Sequence, residues 1–562
     1  MLKRVYIILF LIILLLLNAC GFVIFNPFME TTYPLFLPTV TVLNISANCQ
    51  LETGFIIGTT SSIKNNVVLV EASFDGAAYT TAIGIANWKI PIPSGSSTWK
   101  KGSEHTIDVR AKDDAGIYSN VTSISIIMGT NKDVNGDGYA DVGVGAHGYN
   151  SLTGRAYIFH GSSSGISTAP DTIITGESAS DGFGRKITFG DINGDGYGDF
   201  LIYPANYPAG GWTGRIYIFF GQNTGIASAN ASTANTIIES PGSGVSFGHT
   251  IALGDINGDG YTDICASADS SDGKVYIFHG RTSWVSSLAA STDSNTLITG
   301  QAADAQCLGE GIGCGDINGD GYEDIAIGSP YYNSFDNTGQ VYIFYGSSSG
   351  ISSTDTTFAN TTITGEATAT RFGNSIFIGD INGDGFMDLT AAAEDYNTNY
   401  GQVYIFHGTP SGITDGIINT DITPNTILTG GGVDFWYGLS LAMGDVNRDG
   451  YMDIGVGAKK DTSCTGESYV YVGGSGGLNT TAIFTETGAS TWHYMGYGIG
   501  FCDTNGDGYG DFIAGERGYN SFQGRFHVFN GNSSGLSGTA SAIRLGETSP
   551  TADSSLGYSV TP

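Results

Sequence analysis

The chain has 562 residues, 41% of them hydrophobic, enough apolar material for more than one folded unit. Its 53 Asp and Glu against 22 Lys and Arg give a formal charge of −31, which leaves no basic footprint for a phosphate backbone and excludes nucleic-acid binding. Seven cysteines show no metal-ligand spacing, so zinc has no support.

Residues 1–20 read as an export signal: Lys3 and Arg4, an apolar run from Val5 to Leu17, then Leu17-Asn18-Ala19-Cys20. The last four resemble a bacterial lipobox, which implies cleavage before Cys20 and lipid on its thiol. The competing reading joins Val5 to Phe25 into one span interrupted only by Asn18 and Gly21, long enough for an uncleaved anchor. Both readings give an exported, membrane-tethered protein of the bacterial envelope, at the outer membrane or cell surface. Removal of Lys3 and Arg4 takes the net charge to −33. Residues 21–38, with Pro27, Pro34 and Pro38, form a tether.

Residues 39–128 alternate in β fashion. Val67 to Phe74 leads into Asp75-Gly76, Thr106 to Ala111 into Asp114-Ala115-Gly116, and Ser123 to Met128 follows. Short strands with such turns predict a small sandwich. The segments Val70 to Gly76 and His105 to Ala111 resemble bacterial immunoglobulin-like surface domains, which implies a stalk.

From Gly129 to the end, one nine-residue pattern, D-x-N-x-D-G-x-x-D, occurs seven times at spacings of 58 to 65 residues. A repeat of that period with β patterning predicts a propeller or solenoid. Oxygens at loop positions 1, 3, 5 and 9, a carbonyl at 7 and glycine at 6 are what Ca²⁺ takes from a tight loop. The candidate ligands are Asp133, Asn135, Asp137, Tyr139 and Asp141; Asp191, Asn193, Asp195, Tyr197 and Asp199; Asp255, Asn257, Asp259, Tyr261 and Asp263; Asp316, Asn318, Asp320, Tyr322 and Asp324; Asp380, Asn382, Asp384, Phe386 and Asp388; Asp445, Asn447, Asp449, Tyr451 and Asp453; and Asp503, Asn505, Asp507, Tyr509 and Asp511. Up to seven calcium ions are expected, with the site carrying Arg448 in place of Gly the weakest. A metal-free Asp/Gly-rich turn is the plainer alternative for one copy; seven copies with every acidic position kept argue against it.

Each unit divides into four strands, as in a propeller blade. Phe183 to Gly190 precedes its loop, Asp324 to Pro330 follows its own, Gly339 to Gly346 comes third and Thr172 to Gly176 fourth. The first loop lacks a Phe-Gly strand ahead of it, and Leu556-Gly557-Tyr558-Ser559-Val560 matches the missing piece, so a ring closed by the C-terminal strand is expected over residues 129–562. Phe-Gly strand, acidic loop and Gly-Ala-x strand together resemble the FG-GAP repeat of integrin α-subunit propellers. The resemblance implies an all-β, seven-bladed propeller, calcium between the first two strands of each blade, and a ligand face on the opposite rim. Integrin propellers fill only some loops, and their partner subunit, leg domains and membrane-spanning tail have no counterpart here.

Gly161-Ser162-Ser163-Ser164-Gly165, Gly346 to Gly350 and Gly473 to Gly477 match G-x-S-x-G, but the same position reads Gly-Gln-Asn-Thr-Gly at 221, so these are hairpin loops rather than nucleophile elbows. His160, His279 and His407 recur at one strand position as surface residues. Cys265 and Cys314 align with apolar core residues of other repeats and are read as small buried residues. No catalytic constellation stands out, and no enzyme is expected. Ligand-face candidates are Tyr149, Tyr207, Trp212, Tyr332, Tyr396 and Tyr519, in loops where Tyr-Asn presents flat apolar surface beside hydrogen-bonding groups; the same dipeptide also suits plain turn stabilisation. The expected function is a calcium-stabilised surface binding or adhesion protein, monomeric, with a protein ligand; a glycan ligand is the alternative, and an exported enzyme a weaker one.

Overall fold

The computed structural model describes residues 37–561 apart from 43–49, 52–54, 64, 92–103, 129–131, 205–212, 243, 270–272, 302–307, 333–336, 367–369, 433–434, 460–463 and 548–553. The signal segment, Cys20, Cys49, Cys307, Tyr207 and Trp212 lie outside the described residues.

Two sheets form the N-terminal unit. One orders Thr39–Val42, Phe55–Ser61, Asn87–Pro91 and Ile83–Gly84; the other orders Gln50–Leu51, Thr122–Met128, Glu104–Asp113, Val67–Phe74 and Thr80–Thr81. Alternation places Ile56, Trp88 and Ile90 of the first and Val70, Ile107, Val109 and Ile126 of the second in one shared core, as two stacked sheets require. At the Asp75-Gly76 turn both residues have positive φ, 53° and 71°, and the N–H of Ala77 closes the hairpin on Phe74 at 2.9 Å.

Seven further sheets follow among the described residues, each built on four antiparallel strands, with a separate two-stranded sheet of Gly531–Asn532 and Gly535–Leu536. Blade 2 is typical: Phe183–Gly190 innermost, then Asp199–Pro204, Arg215–Phe219 and Thr236–Glu239. The second strands are buried on both faces, as Val142–Ala146 and Asp324–Ser329 are throughout, because each blade is covered by a neighbour on either side. The apolar clusters accordingly straddle the seams. One joins Ala156, Ile158 and Ile174 of blade 1 to Phe183, Phe189 and Phe200 of blade 2. Another joins Val142, Val144 and Phe159 of blade 1 to Ile513, Phe526 and Val528 of blade 7. The ring is therefore continuous through the seam where the chain begins and ends it.

Blade 1 takes its innermost strand from the C-terminus: Ser559–Thr561 pairs antiparallel with Val142–Ala146, with Val560 opposite Val144. Leu556 beside it is 1% exposed. Deleting residues 556–561 strips blade 1 of this strand and bares an edge along Val142–Ala146. The expected outcome is aggregation, measured by light scattering during refolding.

Four blades also carry a fifth, short strand supplied by the next unit in the chain. Ala229–Asn230 lies parallel to Thr172–Thr175, Ser287–Ala289 to Thr236–Glu239, Thr354–Asp355 to Thr296–Thr299, and Gly416–Ile417 to Thr361–Thr364. This exchange covers the outer edges of blades 1 to 4 and latches each to its successor.

Candidate metal loops and ligand face

The seven acidic loops join first to second strands and share one end of the blades. In each, the first carboxylate turns inward onto the loop's own backbone. Asp133 Oδ2 accepts the N–H of Gly138 at 2.9 Å, and the equivalent bond recurs from Gly196, Gly260, Gly321, Gly385, Gly450 and Gly508 at 2.8 to 3.0 Å. Asp137 Oδ1 accepts the N–H of Tyr139 at 3.1 Å, and the Asn135 amide donates to Asp137 Oδ2 at 3.0 Å.

The ninth-position carboxylate holds a post the spacing alone does not reveal. Asp141 is wholly buried, its Oδ2 accepting the N–H of Val134 and its Oδ1 that of Gly161, both at 2.9 Å. Asp388 repeats this with Ile381 and Gly408 at 3.0 Å each, and Asp199, Asp263, Asp324, Asp453 and Asp511 do the same. One carboxylate thus ties the start of its own loop to the hairpin that follows the third strand. Burial first, and then the neighbouring loop carboxylates, push these groups upward: Asp263 and Asp324 to about 8, Asp511 to about 7.

Among the described residues no three His, Cys, Asp or Glu side chains converge as a ready metal cage. The donor set is nevertheless all oxygen, and each carboxylate oxygen taken by one N–H keeps a second lone pair. Close carboxylates whose anionic forms are disfavoured by burial and by one another match what a hard divalent cation relieves.

The loops interlock around the ring. The aromatic at position 7 lies over the glycine at position 4 of the preceding loop, which has left-handed φ. A Cβ on Gly136 would stand 2.5 Å from the Tyr197 ring, one on Gly383 2.5 Å from Tyr451, and one on Gly506 2.7 Å from Tyr139, the last contact closing blade 7 on blade 1. Only a residue without a side chain admits the ring here. Blade 6 departs from this, with Arg448 held at φ 57° in the glycine position. In six of the loops the N–H at position 8 donates to the position 1 carbonyl of the loop before, as Met387 does to Asp316 at 3.0 Å and Ala140 to Asp503 at 3.2 Å.

The G-x-S-x-G segments are tight hairpin turns, Gly165 donating to the Ser162 carbonyl at 2.8 Å and Gly350 to that of Ser347 at 2.7 Å. His160, His279 and His407 pack instead against Gly225, Gly350 and Gly477 of the next blade. Their Nε2 atoms are enclosed, so they belong to the blade seams rather than to the open surface. Cys265 is buried, whereas Cys314 is only partly so, its Sγ 3.8 Å from that of Cys265 across the seam between blades 3 and 4.

At the opposite end, the Tyr-Asn loops are short left-handed turns. Asn150, Asn397 and Asn520 have φ of 48°, 50° and 49°, a conformation asparagine tolerates. Tyr149 and Tyr519 lie under the guanidinium groups of Arg155 and Arg525 at 3.9 Å, and Tyr396 packs on the core between blades 4 and 5. Tyr332 follows the second strand of blade 4, its N–H on the Ser329 carbonyl at 3.0 Å. Turn geometry and packing thus account for Tyr149, Tyr396 and Tyr519.

Blade 7 differs from its siblings on this face. Glu516, wholly buried, receives Arg525 Nε, His493 Nδ1 and the N–H of Ala489, with His527 Nε2 at 3.4 Å. Burial alone would raise its carboxyl, but His527, Arg525, the Ala489 N–H and His493 outweigh burial and hold it at about 2. The folded value lies below that of the unfolded chain, about 4.3. This interaction therefore stabilises fully above about pH 4.3 and is lost as pH falls through 2, a contribution of about 3 kcal/mol. Glu516→Gln is expected to flatten that part of the stability-against-pH curve measured by urea unfolding. No residue pattern announces this network, because its members come from three separate segments.

The FG-GAP repeat family matches residues 247–278, 309–344 and 372–406, and an FG-GAP-like repeat matches 133–202. The chain is an all-β FG-GAP-repeat β-propeller protein. It is 32% identical to rat integrin alpha-7 over 168 residues, covering 28% of this chain and 14% of that protein. It is 30% identical to human integrin alpha-8 over 240 residues, covering 40% and 21%. The chain therefore spans about a fifth or less of the length of these relatives. Among solved structures the Dos1 propeller aligns with a TM-score of 0.36 at 10% identity, over 63% of this chain and 72% of that one.

Proposed function

We propose that this chain is a calcium-stabilised, envelope-tethered binding protein whose propeller engages a protein partner in an adhesion-type contact. The observation that carries the reading is the division of labour between the two ends of the blades. One end is locked by seven interlinked acidic loops, repeat after repeat, while the other bears loops that differ between blades. The similarity to integrin alpha chains, over 168 and 240 residues, supports an interaction role. In this reading the loop oxygens hold Ca²⁺, which neutralises carboxylates that burial and mutual repulsion otherwise penalise. The lipid on Cys20 and the N-terminal sandwich hold the propeller away from the membrane, and no catalysis is involved.

The test is capture of extracellular and envelope proteins on the immobilised full-length protein, in calcium and in chelator. A stoichiometric, calcium-dependent partner is expected. Failure to retain any protein in either condition contradicts the reading.

A further inference from the structure

The innermost strands enclose a channel of about 590 Å³ along the ring axis. Its loop-side end is lined by Phe189, Leu253, Ile378, Met443 and Phe501, each two residues before an acidic loop, and by Lys132, whose ammonium donates to the Phe501 carbonyl at 3.0 Å. The opposite mouth is polar and unevenly charged. A β-bulge between Phe183 and Lys186 brings both Arg185 and Lys186 to the channel wall, a re-aiming that bulges provide. Tyr497 and Tyr558 stand beside them, ring centroids 4.8 Å apart. Arg517 lies over Tyr497 at 4.5 Å, over Tyr494 at 4.2 Å and over Tyr558 at 5.5 Å, and Arg185 over Tyr558 at 5.9 Å.

These three cations stand without a carboxylate, as Arg281 over Trp284 and Arg544 on the Ile166 and Ser167 carbonyls do elsewhere, but only here do such cations gather at one place among the described residues. Arg110, Arg155, Arg215, Arg371 and Arg525 each meet a carboxylate. Arg185, Lys186 and Arg517 meet none among the described residues, and Arg517 Nε is buried without a hydrogen-bond partner. Among the described residues that line the channel the one carboxylate is Glu310, engaged with His249 at 3.6 Å, and Glu394, which follows the second strand of blade 5 as Arg517 follows that of blade 7, lies close enough for the two carboxylates to repel. The aromatic series continues outward to Trp492, 6.2 Å from Tyr494 and 60% exposed, on the loop that Glu516 anchors. Trp492 and Tyr494 have left-handed φ of 68° and 53°, a cost that bulky residues bear only when the surroundings impose it.

We propose that the channel mouth and the Trp492 rim bind an acidic saccharide, its carboxylate held by Arg185, Lys186 and Arg517 and one sugar ring laid on Trp492. A planar carboxylate matches the guanidinium fork, and rings with one polar edge suit a ligand that carries both C–H faces and hydroxyls. The neutral groups at the mouth, Asn374 and Ser375 among them, suit the hydroxyls of a sugar better than the apolar side chains of a peptide. This inference rests on the reading that the face opposite the acidic loops is the binding face.

The test is calorimetric titration of the full-length protein, in calcium at low salt, with a uronic-acid trisaccharide, its carboxyl-reduced neutral counterpart and a hexapeptide of Asp and Glu. The uronate is expected to bind one to one and at least tenfold tighter than the neutral sugar. The Arg185→Gln/Lys186→Gln double variant, whose folding is checked by its melt, is expected to lose at least tenfold, as is Trp492→Ala, while Glu310→Gln binds as tightly or tighter. Equal binding of the neutral sugar, an unchanged double variant, or tighter binding of the peptide overturns the proposal. A chain that captures a protein partner yet ignores the uronate overturns this inference alone and leaves the interaction reading standing.

Discussion

Complete removal of calcium is expected to lower the melting temperature by about 20 °C. Each site filled at a hundred times its dissociation constant contributes about 2.7 kcal/mol. A unit of roughly 60 residues has an unfolding entropy of about 0.13 kcal/mol per degree. One ion per blade therefore shifts the melt by about 20 °C however many blades unfold together. The loops are linked around the ring, position 8 of six of them donating to position 1 of the loop before, and Tyr261 of the third lying over Gly194 of the second. Metal loss in one blade therefore loosens its neighbours, and the transition is expected to stay single rather than split. Differential scanning calorimetry in excess calcium and in excess chelator, on protein verified metal-free, reads both quantities. An unchanged melt removes calcium from the account.

The second large effect separates metal binding from the anchoring that the same loops perform. Asp388→Ala leaves the N–H groups of Ile381 and Gly408 without their acceptor in a buried site. At about 1 to 3 kcal/mol for each orphaned group, the expected loss is about 4 kcal/mol, present with calcium and without it. Asp384 is a partly buried loop residue whose carboxylate accepts only local bonds, the Phe386 N–H on Oδ1 and the Asn382 amide on Oδ2, both at 3.0 Å. Asp384→Ala is expected to be strongly destabilising in calcium relative to the parent protein, and nearly neutral once both are in chelator. Urea unfolding of both variants in both conditions gives the four numbers required. Equal behaviour of Asp384→Ala with and without metal contradicts a ligand role for position 5.

Much of this architecture is legible in the sequence because it repeats. The nine-residue loop, the Phe-Gly strand and the small-residue strand each recur at one period, and β patterning inside that period points to blades. Leu556-Gly557-Tyr558 repeats the Phe-Gly pattern, and the structure sets the strand just after it beside Val142–Ala146. What the sequence does not display are pairings between copies. The glycine at loop position 4 reads as a turn residue, yet its partner is a ring from the next loop, as Tyr197 is for Gly136. The ninth-position aspartate reads as one more metal ligand, and the spacing does not display that its buried oxygens also hold two backbone segments together. The short strands that latch blades 1 to 4 fall in segments without clear alternation.

The candidate ligand face is the least legible part. Tyr149, Tyr396 and Tyr519 recur in the Tyr-Asn loops, a repetition that suits turn stabilisation, and in the structure they stack on arginines or pack on the core. The distinctive surface comes from residues scattered over blades 7, 1 and 2, Arg185, Tyr494, Tyr497, Arg517 and Tyr558, which nothing short of the closed ring brings together.

The most direct test of the central claim is a count of bound calcium. Elemental analysis of the full-length protein, stripped of metal and then equilibrated with buffered micromolar to millimolar free Ca²⁺, is expected to show uptake approaching seven ions per chain, the blade carrying Arg448 filling last. A chain that remains metal-free at millimolar calcium contradicts the account.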